Sequence, residues 1–217
     1  MKGIPILILI VFLFTCQTLP LINAPVFPAD EKALTCPSPF LKEKYRLVHT
    51  IETRVAGKTQ SAIIGVTLAD PSTRFVSCAI MTAEGMVLFE AESGPDALKV
   101  NRALPPFDSV DFAKNMIEDI KLIFFSPEGK IQKKGNLPDG TTACRYHEEN
   151  GDWIDVITDK SEGTAIKRYS SAGILKRQVK FNKTTGNIYQ SIELQANETF
   201  NYSLLMTLIE VQPVGSE

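Results

Sequence analysis

Histidine and tryptophan are scarce in this sequence: two histidines, His49 and His147, and one tryptophan in 217 residues. General-base catalysis and metal ligation lose their commonest side chain. There is no Cys-x-x-Cys pair, which excludes the usual structural zinc site and the vicinal redox pair. No Gly-x-Ser-x-Gly elbow and no glycine-rich phosphate loop occurs. Bias of charge is missing too: the formal net charge is −2, which gives neither a nucleic-acid footprint nor a polyacidic tail. The segment 147–155 gathers acidic residues, but its spacing matches no calcium loop, and Asn150-Gly151 reads as a solvated hairpin tip. The expectation is a protein with no catalytic residue, no metal and no cofactor. Paired carboxylates would be the remaining route to an enzyme, and nothing singles out a pair.

What the chain does have begins at the N-terminus. Lys2 precedes an apolar run over 4–14, too short to span a bilayer comfortably and of the length of a secretory signal. Two endings compete. Cleavage after Ala24 would put a small residue at the last position; alternatively Leu13-Phe14-Thr15-Cys16 resembles a degraded lipobox, with Cys16 to be lipidated. The expected organisation is a signal over 1–24 (or 1–15), a proline-rich tether over 25–43 with a short helical turn at 29–34, and a single domain over 44–217. Of the remaining cysteines, Cys36 lies where it could staple the tether to a strand. Cys78 alternates inside an apolar strand and reads as a buried free thiol, and Cys144 completes an odd count.

From Lys44 onward the period is that of strands, with turn residues at hairpin spacing. About ten strands are expected, the first five before residue 104 and the rest after 141. Between them lies the one long helical stretch, 104–127. Pro105 and Pro106 end the preceding strand, Asp108 is the candidate N-cap, and Pro127 stops the helix. Val110, Ala113, Met116, Ile117, Ile120, Ile123 and Phe124 make a broad apolar stripe, with Lys114, Asn115, Glu118, Asp119 and Lys121 mostly away from it. Such a helix covers one face of a sheet, or lids a curved sheet able to admit a greasy ligand. In 74–81 and 86–91 both alternating sets are apolar, so those strands read as covered on both faces. The later strands alternate better and read as having a wet outer side.

The order of these features resembles a known family. A strand Tyr45–Val55 is followed by Gly65-Val66-Thr67-Leu68, then by 74–82 and Gly85-Met86-Val87-Leu88-Phe89. Leu104-Pro105-Pro106 then leads into a helix ending Phe124-Phe125-Ser126-Pro127. The whole is similar to the LolA/LolB lipoprotein-localisation superfamily, nearest to a LolB-like family of bacterial outer-membrane lipoproteins. That resemblance implies a mainly β (α+β) fold, an unclosed antiparallel barrel with the helix over its opening. It implies binding or transfer of acyl chains, lipids or lipoproteins, without catalysis, by a monomer on the periplasmic side, associated with the outer membrane through a lipid anchor. The cavity residues expected from it and from the apolar faces are Phe75, Met81, Leu88, Met116, Ile117, Ile120 and Phe124. A departure is the hairpin at 81–86, where a membrane-engaging loop is expected but only Met81, Ala83 and Met86 are apolar.

Overall fold

The structure is a computed structural model that describes residues 19–23, 36–55, 58–95, 97–159, 163–185, 188–198 and 201–215. Cys16, the leader, the helical turn at 29–34 and the turn residues Ala56, Gly57, Gly186 and Asn187 lie outside them. In chain order the elements are β1 (Tyr45–Val55), β2 (Lys58–Asp70), β3 (Phe75–Met81), β4 (Val87–Ser93), β5 (Leu98–Ala103), α1 (Val110–Phe124), β6 (Lys130–Asn136), β7 (Thr142–His147), β8 (Trp153–Asp159), β9 (Gly163–Tyr169), β10 (Leu175–Thr185), β11 (Ile188–Asn197) and β12 (Asn201–Pro213).

Hairpin turns dictate nearly all of the topology. Successive strands pair antiparallel with their sequence neighbours, and one further ladder joins β1 to β12. The result is one curved twelve-stranded antiparallel sheet in the order β5-β4-β3-β2-β1-β12-β11-β10-β9-β8-β7-β6. Its two edges, β5 and β6, do not pair with each other, and α1 is the connection between them. The barrel is therefore unclosed, and the helix spans its mouth because its two ends are fixed to opposite edges. Edge strand β6 (KIQKKGN) is absent from the sequence reading. Its lysines and exposed pattern are those of an edge guarded against further pairing, which hides the apolar alternation by which strands are recognised.

The helix begins one residue later than expected. Ser109, not Asp108, is the N-cap, its hydroxyl accepting from the Phe112 N–H at 3.1 Å. Val110, expected on the stripe, is 80% exposed, while Ala113, Ile117, Ile120, Leu122, Ile123 and Phe124 are buried. Asp119, expected on the wet face, is buried as well.

Inside the curve, the helix meets one face of β3 only. Val76, Cys78 and Ile80 are buried, and Cys78 Sγ lies 3.8 Å from Met116 Sδ. The alternate residues of β3 are half-buried on the outer face, so the double coverage read from its composition does not hold. Of the later strands, β10 and β11 keep the wetter outer side expected of them, with buried and more exposed residues alternating, but β7 and β8 depart in the opposite sense. The outer faces of β7 and β8 are dry, because Ala143, Ile157, Leu137 and Ile22 form a second apolar cluster there. On the same side the Arg145 guanidinium grips Asp155 with two bonds of 2.7 Å, and Asp155 is fully buried. The acidic segment is a solvated tip only in part: Glu149 and Asn150 are exposed at the turn, whereas Asp152 is buried, accepting from Arg168 and Lys176. Cys36 and Cys144 form a disulfide and Cys78 is a buried free thiol.

Candidate functional site

A sheet that curls without closing leaves an apolar trough, and what fills the trough decides what it can do. Two pieces of the chain fill it here. The first is α1, whose Ile117, Ile120, Ile123 and Phe124 belong to one buried cluster with Leu47 of β1, Val179 and Phe181 of β10, and Ile192 and Leu194 of β11. The second is the segment 36–41, a strap held at one end by the Cys36–Cys144 disulfide and at the other by a 3.0 Å bond from the Leu41 N–H to the Phe124 carbonyl. Phe40 and Leu41 of the strap are buried in the same cluster as the helix.

Little room is left. The interior void beside Pro39, Leu41, His49 and Phe124 measures about 10 Å³. That is about one water-sized probe and far below the several hundred cubic ångströms of an occupied ligand pocket. His49 lines it. This side chain is 1% exposed, its Nδ1 has no hydrogen-bond partner among the described residues, and desolvation lowers its pKa from 6.5 to about 4. It sits in the trough as a neutral imidazole.

Polar contacts pin the lid. On one flank, Asp119 of α1 accepts from Arg177 Nε of β10 at 2.9 Å and from the Tyr202 hydroxyl of β12 at 2.6 Å. Arg177 also donates to Glu198 at 2.8 Å. Burial pushes the Asp119 carboxyl up, against the Arg177 guanidinium and the Tyr202 hydroxyl, which favour its charged form. On the other flank Lys121 donates to Ser93 of β4 at 3.2 Å. Beyond the helix, Arg74 donates to the Ser126 carbonyl at 3.0 Å and pairs with Glu128. Clefts of about 270 and 250 Å³ open beside the helix. Their linings are mixed in charge: Arg168 contacts Glu118, Glu148 and Asp152, and Lys176 contacts Asp152.

Of the seven residues expected to line a cavity, Ile117, Ile120 and Phe124 come together in the buried core, and Met116 and Leu88 pack half-buried against it. Phe75 and Met81 do not join them: they alternate with Val76, Cys78 and Ile80 and stand on the opposite face of β3. Because that strand is apolar on both faces, its period could not say which set meets the helix. The sequence reading also missed Phe40, Leu41, Leu47 and His49, which the alternation of β1 and the staple role of Cys36 make findable. Asp119, Arg177 and Tyr202 carried no local signal.

No protein-family model matches the chain, and no curated protein matches its sequence. Among solved structures, the fold is similar to that of a LolA-superfamily protein from Nitrosomonas europaea. The TM-score is 0.53 at 10% identity, over 82% of this chain and 89% of that one. An outer-membrane lipoprotein-sorting protein domain from Vibrio parahaemolyticus aligns at TM-score 0.45 and 11% identity, over 81% of this chain and 87% of that one. The fold shared with the Nitrosomonas europaea protein is a large, curved, unclosed antiparallel sheet with a helix across it.

Proposed function

We propose that this protein is an exported, non-catalytic carrier or acceptor of acyl chains, working on the periplasmic side of a bacterial envelope and nearest in kind to the LolB-like outer-membrane proteins. Its ligand is a lipid or the acyl chains of a lipoprotein, held in the trough that α1 and the strap now fill. The observation that carries this reading is the manner of filling. The apolar face is covered by one helix pinned by a few polar contacts and by one strap tied by a disulfide and a single backbone bond, so their displacement uncovers a continuous apolar surface. Burying an acyl chain contributes about 0.8 kcal/mol per methylene, so a dozen methylenes offset the loss of a buried ion pair at about 3–5 kcal/mol together with part of the displaced lid contacts. In this reading the void of about 10 Å³ belongs to a closed, self-filled state.

That same void favours a second reading, an interaction domain of the envelope whose interior is permanently filled by its own side chains. Native mass spectrometry of protein purified from membranes separates the two. Co-purifying lipid, or uptake of a fluorescent fatty acid, supports the carrier. A clean apo mass together with no uptake leaves the interaction domain.

A further inference from the structure

We infer that residues 19–23 belong to the mature protein, so that leader cleavage falls upstream of Leu19 and not after Ala24. This rests on the exported reading above and adds the place of the processing site.

Residues 19–23 are built into the fold as a structural part. Ile22 is 1% exposed and closes the outer cluster with Leu137, Ala143 and Ile157. Asn23 makes both backbone bonds of an antiparallel bridge to Asn136 at the β6 edge, 2.8 Å from its N–H and 3.0 Å to its carbonyl. The Pro20 carbonyl accepts from Arg145 Nη2 at 2.9 Å, completing the shell of the buried Arg145–Asp155 pair. The backbone of β6 is fitted to this segment: a Cβ on Gly135 would fall 1.9 Å from the Asn23 carbonyl oxygen. Leu19 in turn packs against the β9–β10 turn, 3.2 Å from where a Cβ on Gly173 would stand.

Cleavage after Ala24 would remove all of this at once. It would open an apolar cluster, bare a paired edge of the sheet and take the carbonyl away from a buried guanidinium. A disposable leader has no reason to be complementary to the folded domain at a glycine, a buried ion pair and an apolar pocket. Of the two endings legible in the sequence, the one before Cys16 keeps the segment, and the one after Ala24 discards it.

The test is the intact mass of the full reading frame expressed in a Gram-negative host and recovered from its envelope. The expected mass corresponds to a first residue between 16 and 19, with the increments of a thioether-linked diacylglyceryl group and an N-acyl chain if that residue is Cys16. A chain starting at Pro25 overturns the inference and leaves export intact. A chain that keeps Met1 and stays in the cytoplasm overturns it together with the exported reading. Ile22→Ala supplies an independent measurement on the recovered protein. Its urea midpoint should fall below wild type; an unchanged midpoint, as expected had residue 22 been removed, overturns the inference.

Discussion

The Tyr202 hydroxyl donates to Asp119 at 2.6 Å, joining the middle of the only helix among the described residues to the strand that completes the sheet. Arg177 reaches the other oxygen of the same carboxylate at 2.9 Å. A charged residue buried beside the apolar stripe of a helix is expensive unless partnered, so these contacts fix where the helix sits and how firmly it closes. Asp119→Asn should therefore lower stability by about 3 kcal/mol, the low end for breaking a buried pair because Glu198 still faces Arg177. It should also speed uptake of a fluorescent fatty acid several-fold. Urea unfolding and uptake kinetics on the same preparation check both; slower or unchanged uptake would argue against a latch.

The packing of α1 sets a second expectation. Ile117 is 4% exposed in a cluster with almost no void, so Ile117→Ala should cost about 2–5 kcal/mol, the full range of a packed core site. A lid over an empty cavity would lose less. Chemical denaturation of the variant distinguishes a filled trough from a vacant one.

His49 predicts how stability depends on pH. Its folded pKa, lowered to about 4, lies below its ordinary 6.5, so between these values the unfolded chain takes up a proton that the folded chain refuses. Stability is full above pH 6.5, falls as the pH drops toward 4, and levels below that. At about 1.4 kcal/mol per pH unit the loss is about 3 kcal/mol. Urea midpoints of wild type and His49→Phe across this range give the answer: the slope due to His49 should vanish in the variant.

The strap can be released chemically. Cys36→Ser removes a cross-link over a sequence separation of 108 residues, for which chain entropy assigns about 4–5 kcal/mol at most. The variant should unfold at lower urea and bind acyl probes faster, since Phe40 and Leu41 are then held only by their own contacts. Reducing agent applied to wild type should reproduce both effects.

Much of this molecule is readable from its residues. The strands of β7 to β10 follow from alternating apolar positions and from turns such as Asn150-Gly151, whose glycine sits at φ 86°. Strand β6 is unreadable because three of its seven residues are lysines, suited to a free edge. The helix stripe identifies Ile117, Ile120 and Phe124. It cannot reveal Asp119, because the partners that permit its burial, Arg177 and Tyr202, stand far along the chain. The outer apolar cluster is hidden for a similar reason. Ala143 and Ile157 look like ordinary members of half-wet strands until Ile22, on a segment that reads as leader, is laid over them.

The pairing of β1 with β12 also governs how the protein is made. Each half of the sheet, β1 to β5 and β6 to β12, is a meander whose strands find their partners next door in sequence. The single seam between the halves runs from Tyr45 opposite Pro213 to Val55 opposite Tyr202. That seam cannot form before the last strand has been synthesised. Contacts between such distant segments are slow to close, commonly milliseconds to seconds in proteins dominated by non-local strand pairing. Until then the two halves are unjoined, and of the faces α1 covers, the β3 face of the first half is the one already built. The sheet thus stays in two unjoined pieces until the chain has been synthesised in full.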